Sequence, residues 1–308
     1  MDRSDWPEIV AAMHNGGYYD NVMSGGPALD RVKVYLRAFA YQGTADSNSA
    51  GPNPAYPCFP GLRHAPFHDP ASHPAVALLE RAFDVIRSEA ILLGDEDPFE
   101  YTAGSLPWAR QIKRLLSPLR PKWKNKRWSI YPFFHMGVDV EALTQCAPRT
   151  ATIVRTLPGA CLDYPWGDAI FSIQGPGNRL PAHCSVDNLR LRCHLGLRIP
   201  ADTGIRVATE SRTWTEGKCL LFEDCFEHEV WNHSDSPRVV LIVDLWHPDL
   251  TEIEIRALTA GFRKVEVRRV FMHKRIRQTN AANRYVAYLD AQTSRQETDP
   301  LLREFWRY

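Results

Sequence analysis

The stretch "GKCLLFEDCFEHEVWNHSDSPRVVLIVDLW", from Gly217 to Trp246, decides the fold. It holds three short runs rich in Val, Ile, Leu and aromatic residues, and polar turns separate them. Apolar runs of this length, bounded by Gly, Pro, Asp or Asn, are typical of β-strands. The stretch therefore predicts three consecutive strands with no helix between them.

Four similar runs precede this stretch: "TATIVRTL", "DAIFSIQG", "LRCHLGLRI" and "GIRVAT". Seven short strands within about a hundred residues, with no long helix among them, favour an antiparallel barrel or a two-sheet jelly roll. The pattern predicts a mainly β fold.

Helical periodicity is confined to the flanks of this β region. A short amphipathic helix is expected at Trp6–Met13, and a longer one at His73–Leu93, where apolar residues recur every three or four positions. After Leu250, "DLTEIEIRALTAGF" and "AANRYVAYLDAQ" also read as helices. Four segments follow from this pattern: an N-terminal extension and linker at 1–57, a helical flank at 58–150, a β core at 151–250 and a C-terminal helical extension at 251–308.

Composition limits the partners of the chain. Its 308 residues carry a formal charge of +1, which provides no global field for nucleic acid. Basic residues cluster at Arg110–Arg127 and Arg263–Arg277. Such runs are usually solvated faces, and the alternative is a docking surface for an acidic carrier protein or for a homodimer.

No window approaches the length of a membrane span, and the N-terminus lacks a secretory pattern. The seven cysteines include no CxxC pair, which favours reduced thiols over a disulfide framework. We therefore expect no membrane insertion and a cytoplasmic location.

His183, in "PAHCSVDNLRLRCHLGL", is the strongest candidate for a metal ligand. It precedes an alternating strand, and His228 follows forty-five residues later at the start of another strand. A common iron site has the pattern H-x-[DE] followed by a distal histidine, but the second residue after His183 is Ser185.

Other metal sites compete in the sequence. His233-Ser-Asp235 and His247-Pro-Asp249 have the literal H-x-D pattern, but the first lies in a polar turn and the second has no well-placed distal histidine. Cys184, Cys193 and His194 also suggest zinc, although the spacing of the two cysteines matches no standard structural-zinc pattern.

Three ordered blocks resemble the aspartyl/asparaginyl β-hydroxylases, a family of Fe(II)- and 2-oxoglutarate-dependent oxygenases. They are "NLRLRCHLGLRIP", "WTEGKCLLFEDCFEHEVWN" and "RVVLIVDLWHPDL", with weaker similarity upstream in "PCFPGLRHAPFHDP". The resemblance covers nearly two thirds of the chain, and residues 1–57 and 260–308 have no counterpart in it. It implies a double-stranded β-helix, which is a cupin-like jelly roll.

The resemblance also implies roles for individual residues. His183 and His228 match the two iron-binding histidines of the family. Arg238, ten residues after His228, matches the arginine that holds the distal carboxylate of 2-oxoglutarate, and Ser172 matches a serine that assists it. A planar guanidinium is suited to bidentate binding of a carboxylate.

Three further residues are implied by the resemblance to lie beside the co-substrate or the substrate. Arg192 and His194 match the R-x-H of the family, beside the 2-oxoacid end of the co-substrate and the substrate. Asp224 matches an acidic residue near the substrate, or it orients a ligand from behind. Apart from the resemblance, Arg190, Arg192 and the basic run before Arg127 suggest an anionic substrate.

Ser185 departs from the family, which has a glycine there and a water in place of the third protein ligand. A serine hydroxyl is a poor iron ligand, so Ser185 is expected to hydrogen-bond a metal-bound water. Asp187 is the only nearby carboxylate that could return to the iron. A small residue also leaves room for chloride, as in 2-oxoglutarate-dependent halogenases.

The resemblance implies an enzyme that uses Fe(II), 2-oxoglutarate and O2 to hydroxylate an unactivated C–H bond. The expected substrate is a small anionic molecule or peptide, such as an amino acid or a carrier-bound specialised metabolite. Two alternatives remain open at this point, namely a halogenase and a non-catalytic jelly-roll sensor of 2-oxoglutarate or metal.

Overall fold

The computed structural model describes residues 6–40, 51–94, 128–135, 137–264, 266–268, 270, 291 and 304–305. The strands of these residues are β1 (Phe67–His68), β2 (Trp128–His135), β3 (Val138–Asp139), β4 (Asp168–Gln174), β5 (Asn178–His183), β6 (Arg190–Arg198), β7 (Thr203–Val207), β8 (Glu210–Arg212), β9 (Cys219–Phe222), β10 (His228–Asn232) and β11 (Arg238–Trp246). They form a seven-stranded sheet, in the order β1-β9-β6-β11-β4-β2-β3, and a four-stranded sheet, in the order β5-β10-β7-β8. All of their pairings are antiparallel, as the sequence predicts for a jelly roll.

The alternation of side chains along β11 divides the core into two layers. Val240 and Ile242 belong to a cluster that fills the space between the sheets. Their neighbours Val239, Leu241 and Val243 point the other way, into a cluster that the helices cover. Because both faces of β11 are buried, its sequence is a nearly continuous apolar run. A polar residue that points between the sheets is therefore well placed for a site.

The described helices are α1 (Trp6–Asn15), α2 (Tyr18–Ser24), α3 (Asp30–Ala40), α4 (Pro74–Arg81), α5 (Phe83–Gly94), α6 (Glu141–Thr144), α7 (Pro148–Arg155) and α8 (Glu252–Arg263). Helices α4, α5 and α7 cover the outer face of the large sheet. Helices α1, α2 and α3 pack with α8 in a separate apolar cluster. The sequence predicts α1 and α8 correctly, but it does not predict that 1–57 contains α2 and α3 as well.

The long helix predicted at His73–Leu93 is two helices. Helix α4 ends at Arg81, and α5 begins at Phe83. Ala82 between them has φ −88° and ψ 5°, outside the helical region. The apolar stripe continues across the break, which explains why periodicity alone does not reveal it.

The run "TATIVRTL" is also a correction, because it belongs to helix α7 and not to a strand. Pro148 occupies the first turn of α7, where a missing N–H is tolerated. Thr150, Ala151 and Val154 are buried at helical spacing. The β-branched residues of the run are typical of a strand, but packing against α5 stabilises a helix instead.

The segment 58–150 is not purely helical, since it contributes β1, β2 and β3 to the large sheet. In β2 the pairing register with β4 shifts between Pro132 and Phe134. Proline cannot donate a ladder hydrogen bond and is tolerated at such irregularities. The interrupted alternation hides this strand in the sequence.

Some predictions lie outside the described residues. These are the helix "AANRYVAYLDAQ", the basic run Arg110–Arg127 and most of Arg263–Arg277. None of the helices in the described part of the chain is long and apolar enough to cross a membrane.

Candidate metal and co-substrate site

The structure brings His183 and His228 together. His183 ends β5 and His228 begins β10, and the two residues are direct partners in the antiparallel register. Their ring centroids are 4.1 Å apart. His228 is buried and His183 is exposed, so the pair lies at the rim of the barrel.

The two imidazoles have the same orientation, and in both of them Nε2 is the nitrogen that is available to a metal. The Nδ1 atom of His183 lies 2.8 Å from the carbonyl oxygen of Pro181, and Nδ1 of His228 lies 3.0 Å from that of Phe226. A carbonyl only accepts, so each Nδ1 carries the proton and each Nε2 keeps a free lone pair. Metal-binding histidines are commonly oriented in this way.

The environment of His228 also keeps its ring neutral. Burial, and then the proximity of His183, lower the pKa of His228 from 6.5 to about 4. A metal ligand must be the unprotonated imidazole. At neutral pH His228 therefore needs no deprotonation before it binds an ion.

Arg238 is a buried cation, and the described part of the chain places no anion beside it. Its side chain lies at the first position of β11, and the residue is 2% exposed. Nε and Nη1 have no hydrogen-bond partner, and among the described residues no carboxylate lies within ion-pair distance. The guanidinium stacks 4.8 Å from the ring of Trp214, and burial lowers the pKa of Arg238 to about 9. Such a group is unfavourable unless an anion compensates it.

A row of rings connects the histidine pair to Arg238. Phe222 lies 6.0 Å from His228, and His194 lies 4.9 Å from Phe222, measured between centroids. His194 then stacks on Trp214, 6.0 Å away and at 15°. Because Trp214 covers Arg238, the row spans the cavity side of the large sheet from the pair to the guanidinium.

His194 is a neutral member of this row. Its Nδ1 accepts a hydrogen bond of 3.3 Å from Nε1 of Trp214, and its Nε2 has no partner. Burial, and then the positive charges of Arg238 and Arg192, hold the pKa of His194 well below its usual value. The Nε2 atom is therefore an unused polar atom in the same environment as Arg238.

Ser172 lies on the same face of the large sheet. It is the partner of Val240 in the register of β4 and β11, two residues from the pair formed by Gln174 and Arg238. Its hydroxyl accepts a hydrogen bond of 2.9 Å from Nε1 of Trp128. The implied role of Ser172 beside Arg238 agrees with this register.

Arg190 and Arg192, unlike Arg238, already have carboxylate partners. Nε of Arg192 lies 2.9 Å from Asp244 and 3.2 Å from Asp224. Nη1 of Arg190 lies 3.2 Å from Asp244 and 3.3 Å from Asp224. Although burial opposes ionisation, the two arginines hold the pKa of Asp224 below its usual value. The predicted anion contact at Arg190 would therefore have to compete with these carboxylates.

The side chains of Ser185 and Asp187 belong to the same network of charged residues. The Ser185 hydroxyl accepts a hydrogen bond from Arg190, and its amide donates to the Asp224 carbonyl at 2.7 Å. Asp187 is fully buried and accepts from Tyr164 Oη at 3.2 Å and from the Leu189 amide at 3.1 Å. These contacts account for both side chains without a metal.

No third protein ligand joins the histidine pair in the part of the chain that the structure describes. No group of three His, Cys, Asp or Glu ligand atoms within 4.8 Å of one another includes His183 or His228. Cys184, Cys193 and His194 form no such group either, since Cys193 faces the helix-covered layer while His194 faces the barrel. The arrangement matches a two-histidine site.

The competing H-x-D histidines have other surroundings. His233 is exposed, and its Nδ1 lies 3.4 Å from Asp202. His247 is buried, with Nε2 at 3.1 Å from the Arg63 carbonyl and Nδ1 accepting from the Asp249 amide at 3.1 Å. Among the described residues, no group of potential metal ligands joins His233 or His247 to His183 or His228.

Two site residues were not singled out from the sequence. Trp214 covers Arg238 and hydrogen-bonds His194, and Asp244 joins Arg190 and Arg192. Asp244 could have been noticed, because it is the only charged residue in the interior of the apolar run of β11. Trp214 gave no comparable signal, since it lies between strands.

The two antiparallel sheets, with the candidate site between them, define a cupin-like jelly-roll protein. The chain belongs to the aspartyl/asparaginyl beta-hydroxylase family, whose sequence model matches residues 80–248.

Similar proteins carry hydroxylase names. The human aspartyl/asparaginyl beta-hydroxylase is 35% identical over 205 residues, which is 65% of this chain and 25% of the human protein. The ornithine lipid ester-linked acyl 2-hydroxylase of Rhizobium tropici is 35% identical over 192 residues, covering 61% of this chain and 62% of that protein. The chain thus spans about a quarter of the human relative.

Among solved structures, a prolyl-4-hydroxylase from Pseudomonas putida is similar over 54% of this chain and 87% of its own, with 13% identity and a TM-score of 0.29.

Proposed function

We propose that this protein is an Fe(II)- and 2-oxoglutarate-dependent oxygenase that hydroxylates an unactivated C–H bond. The observation that carries the proposal is Arg238, a buried guanidinium with unpartnered nitrogens, connected by a row of rings to two histidines with free Nε2 atoms. A dicarboxylate that binds a metal with one end and a guanidinium with the other matches this arrangement.

The residues fit the groups that the proposal requires. Imidazole nitrogens are suitable ligands for Fe(II), and His183 and His228 supply two of them. Arg238 would hold the distal carboxylate of 2-oxoglutarate, and Ser172 lies on the same sheet face to assist it. When bound, iron and 2-oxoglutarate supply O2 activation through oxidative decarboxylation to succinate and CO2.

The chain itself contributes orientation and a dry cavity. Phe222 and Trp214 are buried between the sheets and separate the polar ends of the site with apolar surface. His194 stays neutral, so it adds no positive charge next to Arg238, and because its Nδ1 accepts from Trp214 its Nε2 carries the proton and can donate a hydrogen bond. Water exclusion strengthens the attraction of Arg238 for a carboxylate.

We propose that the substrate is a small anionic molecule or peptide, bound near Arg192. This side chain is 20% exposed, whereas that of Arg190 is 3% exposed, so Arg192 is the accessible arginine of the network. A substrate anion would share Arg192 with Asp224 and Asp244. The two relatives are named for aspartyl/asparaginyl and for acyl hydroxylation, so their names cover chemically different substrates.

The proposed location is the cytoplasm. All seven cysteines are free in the structure, and four of them are buried. Free thiols are maintained in a reducing compartment.

The proposal is tested by anaerobic reconstitution. Protein is loaded with Fe(II) and 2-oxoglutarate, O2 is admitted in the presence of pools of amino acids, peptides and acyl carriers, and succinate is measured. We expect Fe(II)-dependent succinate formation and a product heavier by one oxygen atom. Binding of 2-oxoglutarate with no succinate from any pool would contradict the proposal and leave a binding protein, while a chlorinated product would contradict hydroxylation.

A matched pair of histidine variants tests the metal ligands. His228→Ala is expected to abolish Fe(II) binding and succinate formation, because it removes one of two protein ligands. His233→Ala removes an exposed histidine that contacts Asp202 and stacks near Trp231, and it should retain both. Equal metal content in the two variants would refute the assignment of His228.

A further inference from the structure

Glu223 is a buried carboxylate that does not belong to the site described above. It follows β9 and is 0% exposed, and among the described residues no Lys or Arg lies within ion-pair distance of it. Although burial opposes ionisation, hydrogen bonds from His64 and His68 lower the pKa of Glu223 to about 2. A full negative charge is thus buried without a permanent cation beside it.

The two oxygens of Glu223 have different surroundings. Oε1 accepts from the Ala65 amide at 2.8 Å and lies 2.8 Å from Nε2 of His68. Oε2 lies 2.7 Å from Nδ1 of His64 and 3.4 Å from Sγ of Cys225. Oε1 is therefore held by two donors that orient the carboxylate, while Oε2 faces an imidazole nitrogen and a thiol.

The three atoms at the Oε2 end are a set of metal ligands. The nitrogen of His64, the oxygen of Glu223 and the sulfur of Cys225 all lie within 4.8 Å of one another. Nitrogen, oxygen and thiolate sulfur are the ligands that zinc takes in proteins. One small cation that replaced the hydrogen bonds of Oε2 with His64 and Cys225 would bind all three atoms.

The exposure of the ligands is suited to ion entry. The side chain of His64 is 25% exposed, whereas Glu223 is fully buried and Cys225 is 1% exposed. An ion can therefore arrive at the imidazole and reach the buried carboxylate and thiol through it. Water could complete the coordination on the open side of His64.

A second group on Glu223 is less suited to the same ion. His68 and His247 also have ligand atoms within 4.8 Å of Glu223. However, both nitrogens of His247 already contact backbone groups, the Arg63 carbonyl and the Asp249 amide, each at 3.1 Å. Coordination by His247 would break one of these hydrogen bonds. An ion at Oε2 of Glu223 would break only the contacts of Oε2 with His64 and Cys225, and it would bind these same two residues in their place.

We propose that His64, Glu223 and Cys225 bind one divalent cation of the zinc class, separate from the His183–His228 pair. The ligands come from the segment before β1 and from the turn between β9 and β10. An ion there would tie the incoming segment to the turn that leads to His228, and would act on stability.

The site is tested in the full chain carrying His183→Ala and His228→Ala, so that any bound ion reports on Glu223 alone. The chelator-treated protein is titrated with Zn(II) and, in parallel, with Co(II). We expect one equivalent of each, a thiolate-to-cobalt charge-transfer band, and a melting temperature raised by about 5 °C at saturating zinc. A folded protein that binds neither ion, or that binds cobalt without the thiolate band, would overturn the proposal.

Matched variants identify the ligands. Cys225→Ser and His64→Ala should each weaken zinc binding at least about tenfold, and Cys225→Ser should remove the charge-transfer band. Cys219→Ser changes another buried thiol outside the group and should leave both properties intact. If Cys225→Ser retains the affinity for zinc while His247→Ala abolishes it, the ion binds at Oε1 of Glu223 and the proposed ligand set is wrong.

Discussion

At the scale of single residues, Arg238 shows how a binding site can oppose stability. The guanidinium is buried with no carboxylate partner among the residues that the structure describes, and burial lowers its pKa to about 9. The unfolded chain keeps the ordinary, higher pKa of an arginine, so it binds more protons than the folded protein between pH 9 and that higher pKa. Folding is therefore penalised at every pH below about 9, and the penalty declines as the pH rises through this window. In the proposed function an anion pairs with this group, which would account for its persistence despite the cost in stability.

Arg238→Met tests this trade-off. The substitution replaces an unpartnered cation by an apolar side chain of similar length, so we expect the ligand-free protein to be stabilised by about 1–4 kcal/mol in urea denaturation. Binding of 2-oxoglutarate, measured by calorimetry with Mn(II) in place of Fe(II), should fall at least a hundredfold.

Arg192→Met is the control for this experiment. Because Arg192 is ion-paired with Asp224 and Asp244, its removal leaves these two buried carboxylates with Arg190 as their remaining arginine partner and should destabilise the protein. Destabilisation by Arg238→Met to the same degree would show that Arg238 has an internal partner.

The candidate site residues that the sequence suggests come from its resemblance to the family. His183, His228 and Arg238 form an ordered pattern along the chain. Trp214 and Glu223 could not be found in this way, because their roles depend on which side chains meet across the sheets and on which turn lies beside them. Neither contact has a fixed separation in sequence.

At the scale of elements, helix α7 shows where composition misleads. Glu89 of α5 accepts hydrogen bonds from the Arg149 amide at 3.1 Å and from the Thr150 amide at 2.8 Å, and it also accepts from the Thr150 hydroxyl at 2.6 Å. These are N–H groups of the first turn, which have no partner within the helix. A residue sixty positions away thus stabilises a helix whose own β-branched residues suggest a strand. Strands with regular alternation, such as β6 and β11, were predictable because their pattern is local.

Glu89→Ala should therefore destabilise the protein through α7. We expect a loss of about 2–4 kcal/mol in the free energy of unfolding, because two amides and a hydroxyl lose a buried acceptor. The measurement is urea denaturation followed by circular dichroism. Glu141→Ala, at the exposed start of α6, should change stability by less than about 0.5 kcal/mol, and equal effects of the two substitutions would contradict the capping role.

At the scale of the whole molecule, the N-terminal helices are packed into the structure rather than attached by a linker. Tyr18 of α2 is fully buried and donates a hydrogen bond of 2.7 Å to the carbonyl of Ala257 in α8. Arg31 of α3 binds both carboxylate oxygens of Glu254, at 2.7 and 2.5 Å. The same apolar cluster includes Trp246 at the end of β11, so α2, α3 and α8 pack against the end of the large sheet. This long-range packing could not be predicted from a local pattern, because the segment before Cys58 has linker-like composition.

Gly261 in α8 is the point of closest approach between these elements, and it provides the test. A Cβ atom on Gly261 would lie 2.3 Å from Cζ and 2.4 Å from Oη of Tyr18. Glycine to alanine within a helix ordinarily stabilises by about 0.5–1 kcal/mol. Here we expect the opposite sign, a loss of about 1–3 kcal/mol, because the buried ring has to move. In a Tyr18→Ala background the clash is absent, so Gly261→Ala should be neutral or stabilising. A double-mutant cycle from thermal and urea unfolding measures this difference, and additive effects of the two substitutions would show that α2 does not pack against α8 in solution.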